Sequence, residues 1–371
     1  MGGARAFKLR PKNMKFVRII AGVSLCLVTL MAIGCGFGSK DEVMIGVSMP
    51  TKVMQRWNQD GENMERKLAE HGYKVDLQFA DNDPGLQIAQ IDKMLADGCK
   101  VVVVTAVDAN SLSEVLDRAK EMGRRVISYD RLIMNTDAVD YYTSFDNLTV
   151  GTMQGEYIVD KLGLKNGAGP FTMEIVAGSL DDNNSRPFFE GAMDILRPYI
   201  KSGQLIVKSG QTDLKSCATL HWQSYIAKAR MTLILNAFYV NDKLDVVLCA
   251  NDSTAMGVQA ALKEAGYNKP EKPMPLITGQ DADKKNVIAI IKGEQTMTVF
   301  KDTRLLAEQT VKMIDELMEG KEPETNDIGN YNNGMKIVPS FLVRPQIVDK
   351  SNYEQVLIES GYYTKKDIET N

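Results

Sequence analysis

Residues 100–130 read KVVVVTAVDANSLSEVLDRAKEMGRRVISYD. The run KVVVVTA (100–106) is continuously β-branched and lacks the polar alternation of a strand with one wet face. It suits a parallel strand covered on both sides. SLSEVLDRAKEMG (111–123) reads as a helix that closes on Gly123, and RVISYD (125–130) as the next strand. Strand, helix and strand in this order make a βαβ unit.

The same rhythm extends in both directions. Upstream, VMIGVSM (43–49) and KVDLQFA (74–80) are strands, separated by a helix that stops near His71. IAQIDKMLADG (88–98) is a helix with Ile88, Ile91 and Leu95 on one face. Downstream, YYTSFD (141–146) precedes a long helix from Val150 to Leu162. The alternation then restarts, with strands at PFTMEIVAG (170–178), QLIVKSG (204–210), LDVVLCA (244–250), PLITGQ (275–280) and TMTVFKD (296–302). Alternation of this kind defines an α/β protein with parallel sheets. The length exceeds what one hydrophobic core serves, so two doubly wound parallel-sheet lobes of similar size are expected.

The N-terminus sets the compartment. Arg5, Lys8, Arg10, Lys12, Lys15 and Arg18 lie ahead of an uncharged stretch from Ile19 to Ile33, and MAIGC (31–35) ends it. Basic, apolar and small residues in that order describe an export signal too short for a permanent span. Gly34–Cys35 resembles the lipobox of bacterial lipoproteins, with Ala32 in place of the usual Leu. That resemblance implies a signal peptide over 1–34, acylation of Cys35 and a tether over 35–41. The leader carries six of the 44 Lys and Arg and none of the 48 Asp and Glu, which leaves 38 against 48. A body this acidic, without a basic patch, is not expected to bind nucleic acid. Cys99, Cys217 and Cys249 are too few and too scattered for a disulfide framework or a zinc site. With only two histidines, neither a metal centre nor Cys–His catalysis is expected, and nothing implies a cofactor.

In open parallel sheets, ligands bind beyond the carboxyl ends of the strands. There the sequence places Gln55, Arg56 and Trp57, then Asp130–Arg131, Asp181 to Asn184, Asn251–Asp252, Gln280–Asp281 and Lys301–Asp302. Trp222, the second of two tryptophans, follows QLIVKSG. Carboxylates accept hydrogen bonds from sugar hydroxyls while amides and guanidinium groups donate to them. Indole rings suit the C–H faces of a pyranose. Singly, each residue has a plainer reading: Asn251 and Asp252 as helix caps, Trp57 as core, Asp130–Arg131 as a surface ion pair. Their coincidence at strand ends in both lobes favours a sugar site.

GVSMPT, ISYDRLI, TSFDN, DDNN, ANDSTAMG, TGQDA, TVFKDTR and YNNG with VPSFLV resemble the bacterial periplasmic monosaccharide-binding proteins, in their xylose-binding and multiple-sugar-binding branch. The resemblance implies the type I periplasmic binding protein fold, with two lobes joined by a three-segment hinge. It implies a first lobe over 42–146 with 282–320 and a second over 147–281 with 321–371. It assigns ligand binding to Arg56, Trp57, Asp130, Arg131, Asn183, Asn184, Trp222, Asn251, Asp281 and Lys301. It further implies an extracytoplasmic protein that delivers an aldose to an ABC permease and ATPase, or that presents it to a chemoreceptor or sensor kinase.

Two other classes fit less well. A glycoside hydrolase needs one carboxyl protonated and one ionised, whereas basic neighbours such as Arg131 favour two ionised groups. A sugar-responsive repressor would carry a helix-turn-helix where this chain has its export signal.

Overall fold

The computed structural model describes residues 43–368 together with Met1 and Gly2. Most of the expected leader, the tether and Cys35 lie outside the described residues. Among the described residues, no helix is long and apolar enough to cross a membrane.

The chain runs through β1 (Met44–Met49), α1 (Gln55–Glu70), β2 (Lys74–Phe79), α2 (Pro84–Ala96), β3 (Val101–Val104), α3 (Ser113–Glu121), β4 (Arg125–Tyr129) and β5 (Tyr141–Phe145). It continues with α4 (Asn147–Leu162), β6 (Phe171–Val176), α5 (Ser185–Lys201), β7 (Leu205–Ile206), α6 (Leu214–Cys217), α7 (Ser224–Phe238) and β8 (Val246–Cys249). Then come α8 (Asp252–Glu264), β9 (Leu276–Ile277), α9 (Lys284–Lys292), β10 (Met297–Phe300) and α10 (Thr303–Met318). β11 (Ser340–Val343), β12 (Gln346–Asp349) and α11 (Lys365–Ile368) complete it.

The first lobe is a parallel sheet in the order β11-β5-β4-β3-β1-β2. The valine run is its centre. Val102 and Val104 enter one core cluster with Ile91 and Leu116, and Val101 and Val103 enter another with Met64 and Leu306. All four valines are fully buried, each contributing roughly 1.5–3 kcal/mol of transfer free energy. Burial on both faces is the reason the run shows no alternation.

The second lobe has the parallel order β7-β6-β8-β9. β10 extends it through Thr296 N–H to Ile277 O at 3.0 Å and Val299 N–H to Gly279 O at 2.9 Å. β12 lies antiparallel on β10, an edge strand outside the expected all-parallel pattern. The C-terminal segment packs Val356, Leu357 and Tyr363 against Val287 and Phe300 of this lobe.

Two expected boundaries shift. Residues 282–300 were assigned by resemblance to the first lobe, yet α9 and β10 belong to the second, because β10 takes its hydrogen bonds from the β9 side. Residues 321–343 were assigned to the second lobe, yet β11 pairs with β5 in the first, with Ser340 beside Tyr142. The chain therefore crosses between β5 and α4, between β10 and α10, and between β11 and β12. Only the first crossing falls where it was expected.

α4 and α5 cross at close range through glycine. A Cβ on Gly151 would stand 2.0 Å from the Phe188 carbonyl oxygen, which is backbone and cannot rotate aside. Gly151→Ala is expected to lower the urea unfolding free energy by roughly 1–3 kcal/mol, the range for overpacking.

Candidate functional site

The carboxyl ends of both sheets face one cavity between the lobes. Arg56 and Trp57 reach it from the first turn of α1, and Asp130 and Arg131 from the end of β4. Asn184 comes from the loop after β6, Trp222 from the turn before α7 and Asn251 from the end of β8. Asp281 and Lys301 follow β9 and β10. All nine are buried.

Arg56 is the hub. Its Nε donates to Asp60 Oδ2 at 2.5 Å, one terminal nitrogen to Asp130 Oδ2 at 2.5 Å and the other to Asp281 Oδ1 at 2.9 Å. Lys301 Nζ lies 2.8 Å from the same Asp281 oxygen. Burial alone would lower the Arg56 pKa, but the charges of Asp130, Asp60 and Asp281 outweigh it and raise it further. Burial likewise works to raise Asp281, and Lys301 and Arg56 together overcome it and hold this carboxylate low. Asp281 is thereby held as an acceptor between two cations that donate to it.

The two indoles line the same cavity. Both the Arg56 and Arg131 guanidinium groups lie 5.1 Å from the Trp57 ring centroid, at cation–π distance. Trp222 Nε1 donates to Asp182 Oδ2 at 3.1 Å, and its ring meets Phe188 edge-on at 6.2 Å. Asp182 also lies 2.9 Å from Arg131 Nε. Gly178 makes room for this indole, since a Cβ there would stand 2.1 Å from the Trp222 ring. Asp130 (φ 60°), Trp222 (φ 59°) and Asp281 (φ 97°) all sit in the left-handed region, which non-glycine residues favour little. Tyr142 Oη, Ser144 Oγ and Asn184 Nδ2 all approach the Asp130 carbonyl oxygen within 2.9 Å as donors. Asn184 thus ties the second lobe to the first.

Nine of the ten ligand-binding residues expected from the sequence meet here. Asn183 does not line the cavity. The turn after β6 alternates, so that Asp182 and Asn184 are buried inward while Asp181 and Asn183 are half-exposed. Asp181 instead lies 2.9 Å from His221 Nδ1. Asp182 and Gln280, named at strand ends but not among the ten, also line the cavity, as do Met54 and Phe188, which the sequence did not single out. The ten omit Asp60 as well, which the i to i+4 spacing from Arg56 on α1 makes visible. Asn251 serves in both of the roles considered for it. It lines the cavity, and its Oδ1 caps α8 through Thr254 N–H at 2.9 Å. Trp57 Nε1 and Gln280 Oε1 are buried in this lining without a hydrogen-bond partner.

Residues 45–322 match the family described as periplasmic binding protein domain, and the chain belongs to that family. It is 46% identical over 353 residues to the multiple sugar-binding periplasmic protein SbpA of Azospirillum brasilense, covering 95% of this chain and 99% of that protein. It is 48% identical over 323 residues to the multiple sugar-binding periplasmic receptor ChvE of Rhizobium radiobacter, covering 87% and 91%. A solved ABC transporter solute binding protein from Clostridium phytofermentans, with bound β-D-glucose, is 50% identical with a TM-score of 0.85. That match covers 88% of this chain and 100% of that one. The fold is the type I periplasmic binding protein fold.

Arg56→Ala would leave three buried carboxylates facing a lost cation. Urea unfolding of the ligand-free variant should show a loss of about 3–5 kcal/mol; an unfolding curve like that of the unmodified protein would contradict the network. Asp60 supplies a pH test. Its burial, with Asp130 nearby, pushes it from 3.8 up to about 6 despite Arg56. A carboxyl raised in the folded state contributes most below its unfolded pKa and loses that contribution as pH rises through the folded value. The Asp60 contribution therefore falls from about pH 4 to about pH 6, and unfolding midpoints of Asp60→Asn across that window should lack this decline.

Proposed function

We propose that this protein is the extracytoplasmic substrate-binding component of an ABC sugar importer, closing its two lobes over one aldopyranose. The observation that carries the reading is the inter-lobe array of Arg56, Asp130, Asp281 and Lys301, with two indoles on the same cavity. Ring hydroxyls donate to Asp130 and Asp281 and accept from Arg56, Arg131 and Lys301, while Trp57 and Trp222 cover the apolar faces. Asn184 and Asn251 add amides that donate and accept at once. Trp57 Nε1 and Gln280 Oε1, buried and unpartnered, offer a donor and an acceptor to the same ligand.

The relatives support a glucose-type or xylose-type aldose, since two are described as multiple sugar-binding, others as D-xylose-binding, and one solved structure holds β-D-glucose. The Asp281 carboxylate, held low by Lys301 and Arg56, suits accepting from a hydroxyl, so the reading is capture without chemistry. Delivery to a permease and its ATPase follows from it. Residues 1–34 act as the export leader, and Cys35, acylated, tethers the protein to the membrane. A sensory role, with the closed form presented to a chemoreceptor or sensor kinase, is favoured by the description of one relative as a receptor.

Thermal-shift and calorimetric titrations with D-glucose, D-xylose, D-galactose and L-arabinose test this reading. At least one should raise the melting temperature in step with the logarithm of its saturation. Trp57→Ala and Trp222→Ala should each weaken that sugar by about 30-fold, the equivalent of about 2 kcal/mol for a buried aromatic anchor. Failure of all four sugars to bind would overturn the reading.

A further inference from the structure

A second cavity, of about 230 Å³, adjoins the first. The two share only Met54 and Trp222 as lining, so these side chains form a common lip. The outer walls repeat the chemistry of the inner ones. Asp283 stands for the carboxylate, Lys285 for the amine, Asn82 and Gln223 for the amides and Tyr225 for the ring. Tyr225 and Lys285 are exposed while Asp283 is buried.

Asp283 marks this cavity as more than a leftover opening. The residue is only 9% exposed, and its Oδ1 is buried without a hydrogen-bond partner. It occupies the N-cap position of α9, where a carboxylate ordinarily accepts from the first-turn amides, yet it makes no such bond. A buried acceptor left open in this way calls for a donor. A hydroxyl within the outer cavity would supply one.

We propose that the outer cavity is a second sugar subsite, so that the protein also binds a pyranose disaccharide with one ring in each cavity. The proposal rests on the sugar reading of the inner site. The inner ring keeps the Arg56 array and the two indoles. The second ring passes the Met54–Trp222 lip, lies against Tyr225 and donates a hydroxyl to Asp283.

Titration calorimetry on the purified protein with D-glucose and D-xylose, then cellobiose, maltose and xylobiose, tests it. At least one disaccharide should bind within about tenfold of its monosaccharide. Tyr225→Ala should weaken that disaccharide by about tenfold, the worth of one stacking contact, and leave the monosaccharide within about twofold. Met256→Trp, which narrows the outer cavity from its lining, should weaken the disaccharide and spare the monosaccharide. Monosaccharide binding with all three disaccharides more than about 100-fold weaker would overturn the proposal alone, as would variants that move both ligand classes equally. Binding of neither monosaccharide nor disaccharide would remove the sugar reading and the subsite together.

Discussion

A guanidinium with three donor directions meets three carboxylates, two from its own lobe and one from the other, and the rest of the cleft is arranged around that meeting. Asp60 lies one turn along α1, Asp130 ends β4, and Asp281 follows β9. Only arginine presents so many donors in a rigid plane. Held this way, Arg56 fixes where each acceptor oxygen points before any ligand arrives. Its bond to Asp281 spans the lobes, so the position of one lobe is coupled electrostatically to that of the other. Lys301 meets the same Asp281 oxygen, and the array keeps its charges in a buried setting where isolated ions would be expelled.

The site departs from what local stability favours. The first turn of α1 holds Arg56 and no acidic residue, and its N-cap, Met54, makes no side-chain capping bond. A cation there opposes the helix dipole, and the surrounding carboxylates offset it. Three cavity-lining residues keep left-handed backbone, at a cost of order 1–3 kcal/mol each. Such violations gather where geometry serves binding, while the valine run of β3 obeys every local preference.

That contrast sets what the sequence makes legible. The elements could be read because burial on both faces leaves continuous apolar runs, and because glycine and polar residues punctuate them. Most site residues could be read because open parallel sheets place ligands at strand ends. Lobe membership of β10 and β11 could not, since TMTVFKD and PSFLV look alike whichever sheet accepts their hydrogen bonds. Asp182 and Asn183 were ambiguous for a different reason. Four polar residues in a row do not show which of them a turn aims inward. Phe188 sits within the apolar stripe of α5 and carries no mark that separates cavity lining from core.

β11 and β12 are joined by Arg344 and Pro345 alone, yet the first closes the edge of one sheet and the second closes the edge of the other. During synthesis, neither half can reach its final form until the ribosome has delivered this late dipeptide and its flanks. The polypeptide therefore stays incomplete almost to its end.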